Sequence, residues 1–133
     1  MGCGRVGARL ASTLDAVGHS VAIIDQDSKA FARLSPDFSG RRVTGVGMDR
    51  DCLRQANIKD AYAFAAVSSG DNSNIIAARV AREVFHVEHV VARIYDPTRA
   101  YLYERLGIPT VASVQRTAEI GRASCRERVC QYV

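Results

Sequence analysis

The 133-residue sequence contains no tryptophan and only two lysines, Lys29 and Lys59, although lysine and arginine together number 18. No apolar run approaches the roughly 18 to 20 residues that a membrane-spanning helix needs. The chain opens with a glycine turn and an arginine, where a secretory signal peptide would carry an apolar core. From these absences we expect a cytoplasmic protein that does not insert directly into a membrane.

The charge distribution and the cysteine spacing argue against two further classes, nucleic-acid-binding proteins and proteins with a cysteine-bound metal. The net charge is +4, and half of it comes from the stretch after Gly121, where three arginines (Arg122, Arg126, Arg128) face one glutamate (Glu127). The remaining chain has no basic patch with interleaved aromatic residues, so we expect no nucleic-acid partner. The four cysteines form no C-x-x-C pair, and we expect no metal site. Cys3 is interpreted as a small structural residue, because a reactive thiol needs a lowered pKa.

The most informative stretch is the opening one, which has the spacing G-x-G-x-x-G at Gly2, Gly4 and Gly7. In a dinucleotide-binding turn the first glycine permits the sharp turn from strand to helix. The second leaves room for a pyrophosphate, and the third allows close helix–sheet packing. The following helix N-terminus favours an anion, and Arg5 in its first turn can add a charge-assisted contact to phosphate.

The residues after this turn provide the context that the motif needs. Apolar residues recur at helical spacing from Arg5 to Val17, and an apolar run, Val21 to Ile24, then ends in Asp25. An acidic residue about 20 positions after the glycines is placed to hold ribose hydroxyls. The sequence therefore predicts a nucleotide site that uses Gly2, Gly4, Gly7 and Asp25.

Strand and helix patterns alternate along the chain with short connections, which predicts a Rossmann-like, doubly wound α/β fold with a parallel sheet. Ala61–Val67 is typical of a strand buried on both faces. The helix predicted over 72–85 has Ile75, Ile76, Val80 and Val84 on its buried side. The helix that starts at Pro97 is expected to turn Tyr101, Leu102 and Leu106 inward.

Ligands bind at the carboxyl ends of the strands in such sheets. The glycine turn, Asp25, the second glycine-rich turn Gly45–Asp49 and the turn Ser68–Asp71 all follow predicted strands. Four loops are therefore expected to converge on one edge of the sheet.

The strand that should precede the glycine turn is missing, because Met1 stands one residue before the first glycine. This first strand is central in a doubly wound sheet, and its loss would remove of order 10 kcal/mol of apolar burial. We therefore expect the 133-residue chain to fold poorly and its true start to lie upstream.

The last fifteen residues do not continue the alternation. Residues 119–133 have no clean helical or strand period and resemble translated sequencing-adapter read-through. The expected organisation is one nucleotide-binding domain over residues 1–118, incomplete at its start, followed by a non-native tail.

Several longer stretches resemble one family. They are Gly2–Gly7 (GCGRVG), Ala22–Asp25 (AIID), Ala66–Asn74 (AVSSGDNSN), Val91–Pro97 (VARIYDP) and Tyr103–Ile108 (YERLGI). Together they are similar to the N-terminal domain of the Trk potassium-uptake regulators, the TrkA-N or RCK N domain. The resemblance covers roughly residues 1–118, and the later stretches are not features of generic dehydrogenases.

The resemblance implies a cofactor, a set of site residues and partners. It implies that NAD(H), with ATP or ADP as further candidates, binds at Gly2, Gly4, Arg5, Gly7 and Asp25. Asp49 would lie near the adenine, although the Gly45–Asp49 turn is displaced from the family's Gly-Asp turn. The resemblance also implies a homodimer or higher ring that acts peripherally at the inner face of the plasma membrane. There it would gate a potassium-translocating subunit of the Trk or Ktr type.

Two alternatives remain open at the level of sequence. One is a fragment of an NAD-dependent oxidoreductase that lacks its substrate domain, and the other is a structural interaction domain. His19, His86 and His89 are poor candidates for a general base, because all three are expected at the end of the sheet away from the ligand. We therefore predict a regulatory protein with no catalytic residue.

Overall fold

A computed structural model describes residues 1–111 and 131–133 of the chain. Its α-helices are α1 (Arg5–Ala16), α2 (Arg50–Gln55), α3 (Asp71–Arg79) and α4 (Pro97–Arg105). Short 3-10 helices cover Ser28–Arg33 and Ile58–Asp60, and a π-helical segment, Val80–Val84, extends α3. The helix boundaries follow local chemistry: Asp96 caps α4 by accepting the N–H of Thr98 at 3.0 Å, and Pro97 occupies the first turn.

The described strands form one sheet in which every pairing is parallel. They are β1 (Ser20–Asp25), β2 (Arg41–Thr44), β3 (Ala63–Ala66), β4 (His89–Arg93), β5 (Thr110–Val111) and β6 (Gln131–Tyr132). Their spatial order is β2-β1-β6-β3-β4-β5. The predicted Rossmann-like α/β fold is confirmed.

The central position of the sheet is filled from the far end of the chain. β6 pairs with β1, placing Val21 opposite Tyr132, and it pairs with β3, placing Ala63 opposite Tyr132. The sequence predicted an absent first strand at this position, and Gln131–Val133 lie there instead. Residues 119–130 of the predicted tail lie outside the described part of the chain, and the non-native origin of the tail stays a prediction.

Two apolar clusters cover the two faces of the sheet. On one face α1 packs through Ala11 and Leu14 against Val21, Ile23 and Tyr132. The larger cluster on the other face brings α2 and α3 against the sheet around the fully buried side chains of Ile24, Leu53 and Phe64. Alternate residues of β1 thus point to opposite faces, as expected for a strand covered on both sides.

Two expectations about helix faces are wrong. In α4, Tyr101, Leu102 and Leu106 are 60%, 52% and 70% exposed, and the helix has no buried residue. The helix contacts the two-residue edge strand β5, and of its residues Ala100 and Tyr103 are partly buried against the core. In the α3 segment Ile76 and Val84 are exposed while Ile75 is buried. The change to π-helical hydrogen bonding at Val80 shifts the later residues away from the face that a 3.6-residue period predicts.

Within the described residues, no helix combines the length and the apolar character that crossing a bilayer would require.

Candidate functional site

A cleft of about 880 Å³ opens at the carboxyl ends of β1, β3 and β4. Its lining includes the glycine turn, Asp25, Gly45 and Gly47 from the second glycine-rich turn, and Ser68, Ser69 and Gly70 after β3. The predicted convergence of four loops on one edge of the sheet is therefore present. The volume suits a small organic ligand, for which pockets typically measure about 300 to 1,000 Å³.

The three motif glycines meet three different spatial requirements. Gly2 has φ of +96°, and a Cβ there would lie 2.7 Å from the backbone nitrogen of Ser68. A Cβ at Gly7 would overlap the carbonyl oxygen of Gly2 and touch Val67 at 3.3 Å. Around Gly4, by contrast, no atom of the described residues lies within 4 Å of the position that a Cβ would take. Gly2 and Gly7 therefore serve the fold, whereas Gly4 leaves open space toward the cleft.

The first turn of α1 makes the adjacent part of the cleft electropositive. Gly4 is the N-cap residue of this twelve-residue helix, and no side chain caps its N-terminal N–H groups. These groups carry the positive end of the helix dipole. The exposed Arg5 lines the cleft beside them. The arrangement suits an anionic group such as phosphate.

Asp25, at the carboxyl end of β1, ties the glycine turn to the next loop. One carboxylate oxygen accepts the N–H of Cys3 at 2.8 Å, and the other accepts the N–H of Asp27 at 2.9 Å. Each carboxylate oxygen can accept two hydrogen bonds, so the partly exposed side chain keeps acceptor capacity toward the cleft. The structure therefore places Asp25 with Gly2, Gly4, Arg5 and Gly7, since Gly7 packs directly beneath Gly2.

Asp49 is not among the residues that line the cleft. Its carboxylate caps α2 by accepting the N–H of Asp51 at 3.1 Å. The two glycines of the same turn that line the cleft are tightly packed against neighbouring side chains. A Cβ on Gly47 would overlap the Met1 side chain, and a Cβ on Gly45 would lie 2.9 Å from Cys52 Sγ. A contact between Asp49 and a ligand stays a prediction.

A buried amide joins two of the strand ends that form the cleft. Asn74 is fully buried in α3, and its Oδ1 accepts the N–H of Ser68 at 2.9 Å and the Ser68 hydroxyl at 2.6 Å. Its Nδ2 donates to the carbonyl oxygens of Ser68 at 2.9 Å and Arg93 at 2.7 Å. All of its polar capacity is thus used to fix the end of β3 against β4, which makes Asn74 a positioning residue.

Among the residues that the sequence patterns did not assign to the site, the lining of the cleft includes Arg33, Arg93 and Tyr95. The guanidinium carbon of Arg93 lies 4.3 Å from the centre of the Tyr95 ring, and its buried Nε has no hydrogen-bond partner among the described residues. Arg33 closes the 3-10 helix that follows β1. The position of Arg93 at the carboxyl end of a parallel strand was a usable signal, whereas nothing local marks Arg33.

The candidate nucleophiles and bases lie elsewhere or are inert. The buried Cys3 thiol donates to the Ala30 carbonyl oxygen at 3.3 Å, and burial, with Asp25 nearby, raises its pKa. The rings of His19 and His89 lie against Tyr132 and Tyr62, at centroid distances of 5.0 and 4.5 Å. No histidine is among the described residues that line the cleft.

A parallel sheet wound on both faces, with a glycine turn and an uncapped helix N-terminus at its ligand edge, defines a Rossmann-like nucleotide-binding type of domain. The TrkA-N domain family matches residues 1–114 of the chain. The chain belongs to the TrkA-N domain family, as its sequence motifs predicted.

Individual relatives agree with this assignment. The chain is 67% identical over 119 residues to the Trk system potassium uptake protein TrkA of Streptomyces coelicolor, covering 90% of this chain and 53% of the relative. It is 32% identical over 118 residues to a TrkA homolog of Methanothermobacter thermautotrophicus, covering 89% of this chain and 54% of that relative. The chain thus spans about half the length of the relatives it matches.

Among solved structures, the fold is similar to a Shewanella denitrificans Kef CTD in AMP bound form. The TM-score is 0.73 with 24% identity, and the match covers 88% of this chain and 71% of that chain. At this identity the likeness supports the fold alone.

Proposed function

We propose that this chain binds an adenine nucleotide, NAD(H) foremost and ATP or ADP next, as part of a regulatory subunit of a potassium-uptake system. The observation that carries the proposal is the cleft in which Gly4, Arg5 and Asp25 converge, within a chain 67% identical to a named Trk potassium-uptake protein. The cleft accounts for nucleotide recognition, and the relatives' names supply the transport system.

In this proposal the phosphates lie over Gly4, where a side chain would intrude, and against the N–H groups of the first turn of α1. Arg5 adds a positive charge from the same turn, and Arg93, at the end of β4, also lines the cleft. Charge-assisted hydrogen bonds to phosphate are about twice as strong as neutral ones. The phosphates therefore supply most of the affinity that all adenine nucleotides share.

The ribose hydroxyls donate to Asp25, whose carboxylate the N–H groups of Cys3 and Asp27 hold in place. The same carboxylate repels a 2′-phosphate, which disfavours NADP relative to NAD. Because NAD, NADH, ATP and ADP share the adenosine ribose and a pyrophosphate, the cleft discriminates among them by contacts farther along the ligand.

Regulation requires a nucleotide to bind two conformations with unequal affinity. We propose that the two conformations are those of a homodimer or larger ring of these domains. This assembly would lie on the cytoplasmic side of the plasma membrane, in peripheral contact with a Trk- or Ktr-type translocating subunit. Nucleotide binding would then shift the assembly between a state that permits and a state that restricts potassium movement.

We assign no catalytic residue, in contrast to the alternative of an oxidoreductase fragment. The described lining of the cleft offers no histidine, and the Cys3 thiol is held away from reactivity by burial. Consumption of NADH with a small carbonyl compound would favour the oxidoreductase. A chain that binds no nucleotide at all would favour a structural interaction domain.

Calorimetric titration with NADH, NAD, ATP, ADP and NADPH tests the binding step. We expect saturable binding of at least one of the first four and weaker binding of NADPH. Gly4→Ala should abolish binding, and Lys59→Ala, at an exposed position outside the cleft lining, serves as the matched control. Co-purification of the potassium-translocating subunit, with and without the best ligand, tests the regulatory step separately.

A further inference from the structure

The cleft contains an arginine whose binding capacity the protein itself leaves unused. Arg93 is the last residue of β4, and it lines the cleft together with Tyr95. Its buried Nε has no hydrogen-bond partner among the described residues, and none of the ion pairs found among those residues includes Arg93. A buried N–H group that donates to nothing is costly, so this position favours a ligand that can accept a hydrogen bond.

The backbone of Arg93 and the aromatic ring beside its guanidinium are both held in place. The Arg93 carbonyl oxygen accepts a hydrogen bond from Asn74 Nδ2 at 2.7 Å, and the guanidinium carbon lies over the Tyr95 ring at 4.3 Å from its centre. The Tyr95 N–H donates to Asp71 Oδ1 at 2.8 Å, and the Asp96 N–H donates to Asp71 Oδ2 at 3.1 Å. A guanidinium that lies over a ring keeps its N–H groups available for a two-pronged contact with an anion.

The glycine turn lies between the ends of β1 and β3. The Gly2 N–H donates to the Ile24 carbonyl oxygen in β1 at 2.7 Å, and the Val67 N–H, just after β3, donates to the Met1 carbonyl oxygen at 2.9 Å. β4 is the neighbour of β3 on the side away from β1. Because neighbouring strands lie about 4.8 Å apart, the end of β4 lies about two spacings, or roughly 10 Å, from the turn.

This order of the strands sets the part of a nucleotide that Arg93 can contact. A ribose bound at Asp25 lies on the β1 side of the glycine turn, and the pyrophosphate is proposed to lie over the turn itself. The ligand then continues toward β4, so the group attached beyond the pyrophosphate comes nearest to Arg93. In ATP this group is a third phosphate, in NAD(H) it is an uncharged ribose, and ADP has no such group.

We propose that Arg93 binds the terminal phosphate of a nucleoside triphosphate, so that the chain binds ATP more tightly than ADP. This inference rests on the proposed nucleotide site and names the residue that discriminates among its ligands. The Arg93 Nε and one terminal nitrogen would donate in parallel to two oxygens of the phosphate, a geometry that a guanidinium offers and an ammonium group does not. ATP thereby gains a contact that ADP and NAD(H) lack.

Calorimetric titration of the chain and of its Arg93→Lys variant with ATP and with ADP measures this contact. Lysine keeps the positive charge but cannot offer two parallel N–H groups. We expect the parent to bind ATP about tenfold or more tighter than ADP, the effect of one charge-assisted hydrogen bond, and the variant to lose most of this preference. Arg105→Lys is the matched control and should keep the parent's ratio, because Arg105 also lies over a tyrosine ring, that of Tyr101 at 5.8 Å, but outside the described lining of the cleft.

A second pair of variants tests the ring that orients the guanidinium. Tyr95→Leu removes the ring and should lower the preference for ATP over ADP, whereas Tyr95→Phe keeps the ring and should keep the preference. Tyr95 is 53% exposed, so both variants should fold, and this pair decides the question if Arg93→Lys does not fold.

The outcomes separate this inference from the nucleotide site on which it rests. A parent that binds ATP and ADP equally, or an Arg93→Lys variant with an unchanged ratio, would overturn the role of Arg93 and leave the nucleotide site standing. Equal weakening of ATP and ADP in the variant would also overturn it, because it would show a general effect on the cleft. A parent that binds neither these nucleotides nor NAD(H) would overturn both proposals.

Discussion

The carboxylate of Asp25 accepts the backbone N–H of Cys3 at 2.8 Å, which fastens the end of β1 to the middle of the glycine turn. The residue proposed to recognise ribose thus also shapes the turn proposed to recognise phosphate. The ribose and the phosphates of a nucleotide would therefore contact two segments that are hydrogen-bonded to each other. Substitution at Asp25 should affect nucleotide binding and protein stability together.

Asp25→Asn is predicted to separate these two roles in part. The amide oxygen can still accept one backbone N–H, whereas the amide nitrogen cannot accept the other. Stability should therefore fall by about 1 kcal/mol, the typical net contribution of one hydrogen bond, because neither bond is fully buried. The preference for NADH over NADPH should shrink as the negative charge disappears. Urea unfolding and calorimetric titration with both nucleotides measure the two effects, and an unchanged NADH:NADPH ratio would count against the ribose role.

Gly4→Ala and Gly7→Ala should behave in opposite ways. An alanine at Gly4 has free space and should change stability by less than about 1 kcal/mol, yet it projects where phosphate is proposed to bind. An alanine at Gly7 must push away the Gly2 carbonyl and should cost about 3 kcal/mol or more. Thermal unfolding and NADH titration of both variants check this. Equal loss of stability in the two would contradict the separate roles.

Asn74→Leu is predicted to destabilise the protein by about 3 kcal/mol or more, because it leaves buried groups of Ser68 and Arg93 without partners. Asn72→Ala, at an exposed position on the same helix, is the matched control and should stay within about 0.5 kcal/mol of the parent. Urea unfolding of the two variants gives the comparison. A similar, small effect in both would mean that the buried amide does not hold the two strand ends together.

The stability of a chain that begins at Met1 should rise with pH between about 5 and 8. Burial lowers the pKa of the Met1 amino group from 8.0 to about 5, although Cys3, Asp25 and Cys52 oppose the change. Within this window the unfolded chain binds the extra proton and the folded chain does not, so unfolding is favoured as pH falls. Each tenfold difference in proton affinity between the two states corresponds to about 1.4 kcal/mol of stability. Urea unfolding at pH 5.5 and 8 measures it, with the Nα-acetylated chain as control. An equal slope in the acetylated chain would assign the effect to other groups.

Leu106→Ser should leave stability within about 0.5 kcal/mol of the parent, because this side chain, at the C-cap of α4, is 70% exposed. Leu53→Ala, at a fully buried position of the same residue type, should cost about 2 to 5 kcal/mol. Thermal and urea unfolding of the pair test the corrected face of α4. A large loss with Leu106→Ser would show that this surface is covered in solution.

Much of the ligand edge was predictable from the sequence, because its signals are local. Glycine spacing, an apolar run ending in Asp25 and alternating strand and helix patterns each depend on neighbours a few residues apart. Local patterns were also sufficient for β3, which the structure places at Ala63–Ala66, within the stretch Ala61–Val67 that the sequence indicated as a buried strand.

The other features of the fold and of the cleft depend on tertiary contacts that no short sequence pattern encodes. The pairing of Tyr132 with β1 and β3 joins residues from opposite ends of the sequence. The exposure of α4 follows from the short edge strand beside it rather than from its own periodicity. Arg33 lines the cleft because the 3-10 helix that follows β1 places it there, and no local sequence pattern indicates this.

The exposed outer side of α4 has a practical consequence for anyone who labels this polypeptide. Purification handles and fluorophores are better attached to the outward side of α4, around Tyr101, where the surface is open to solvent.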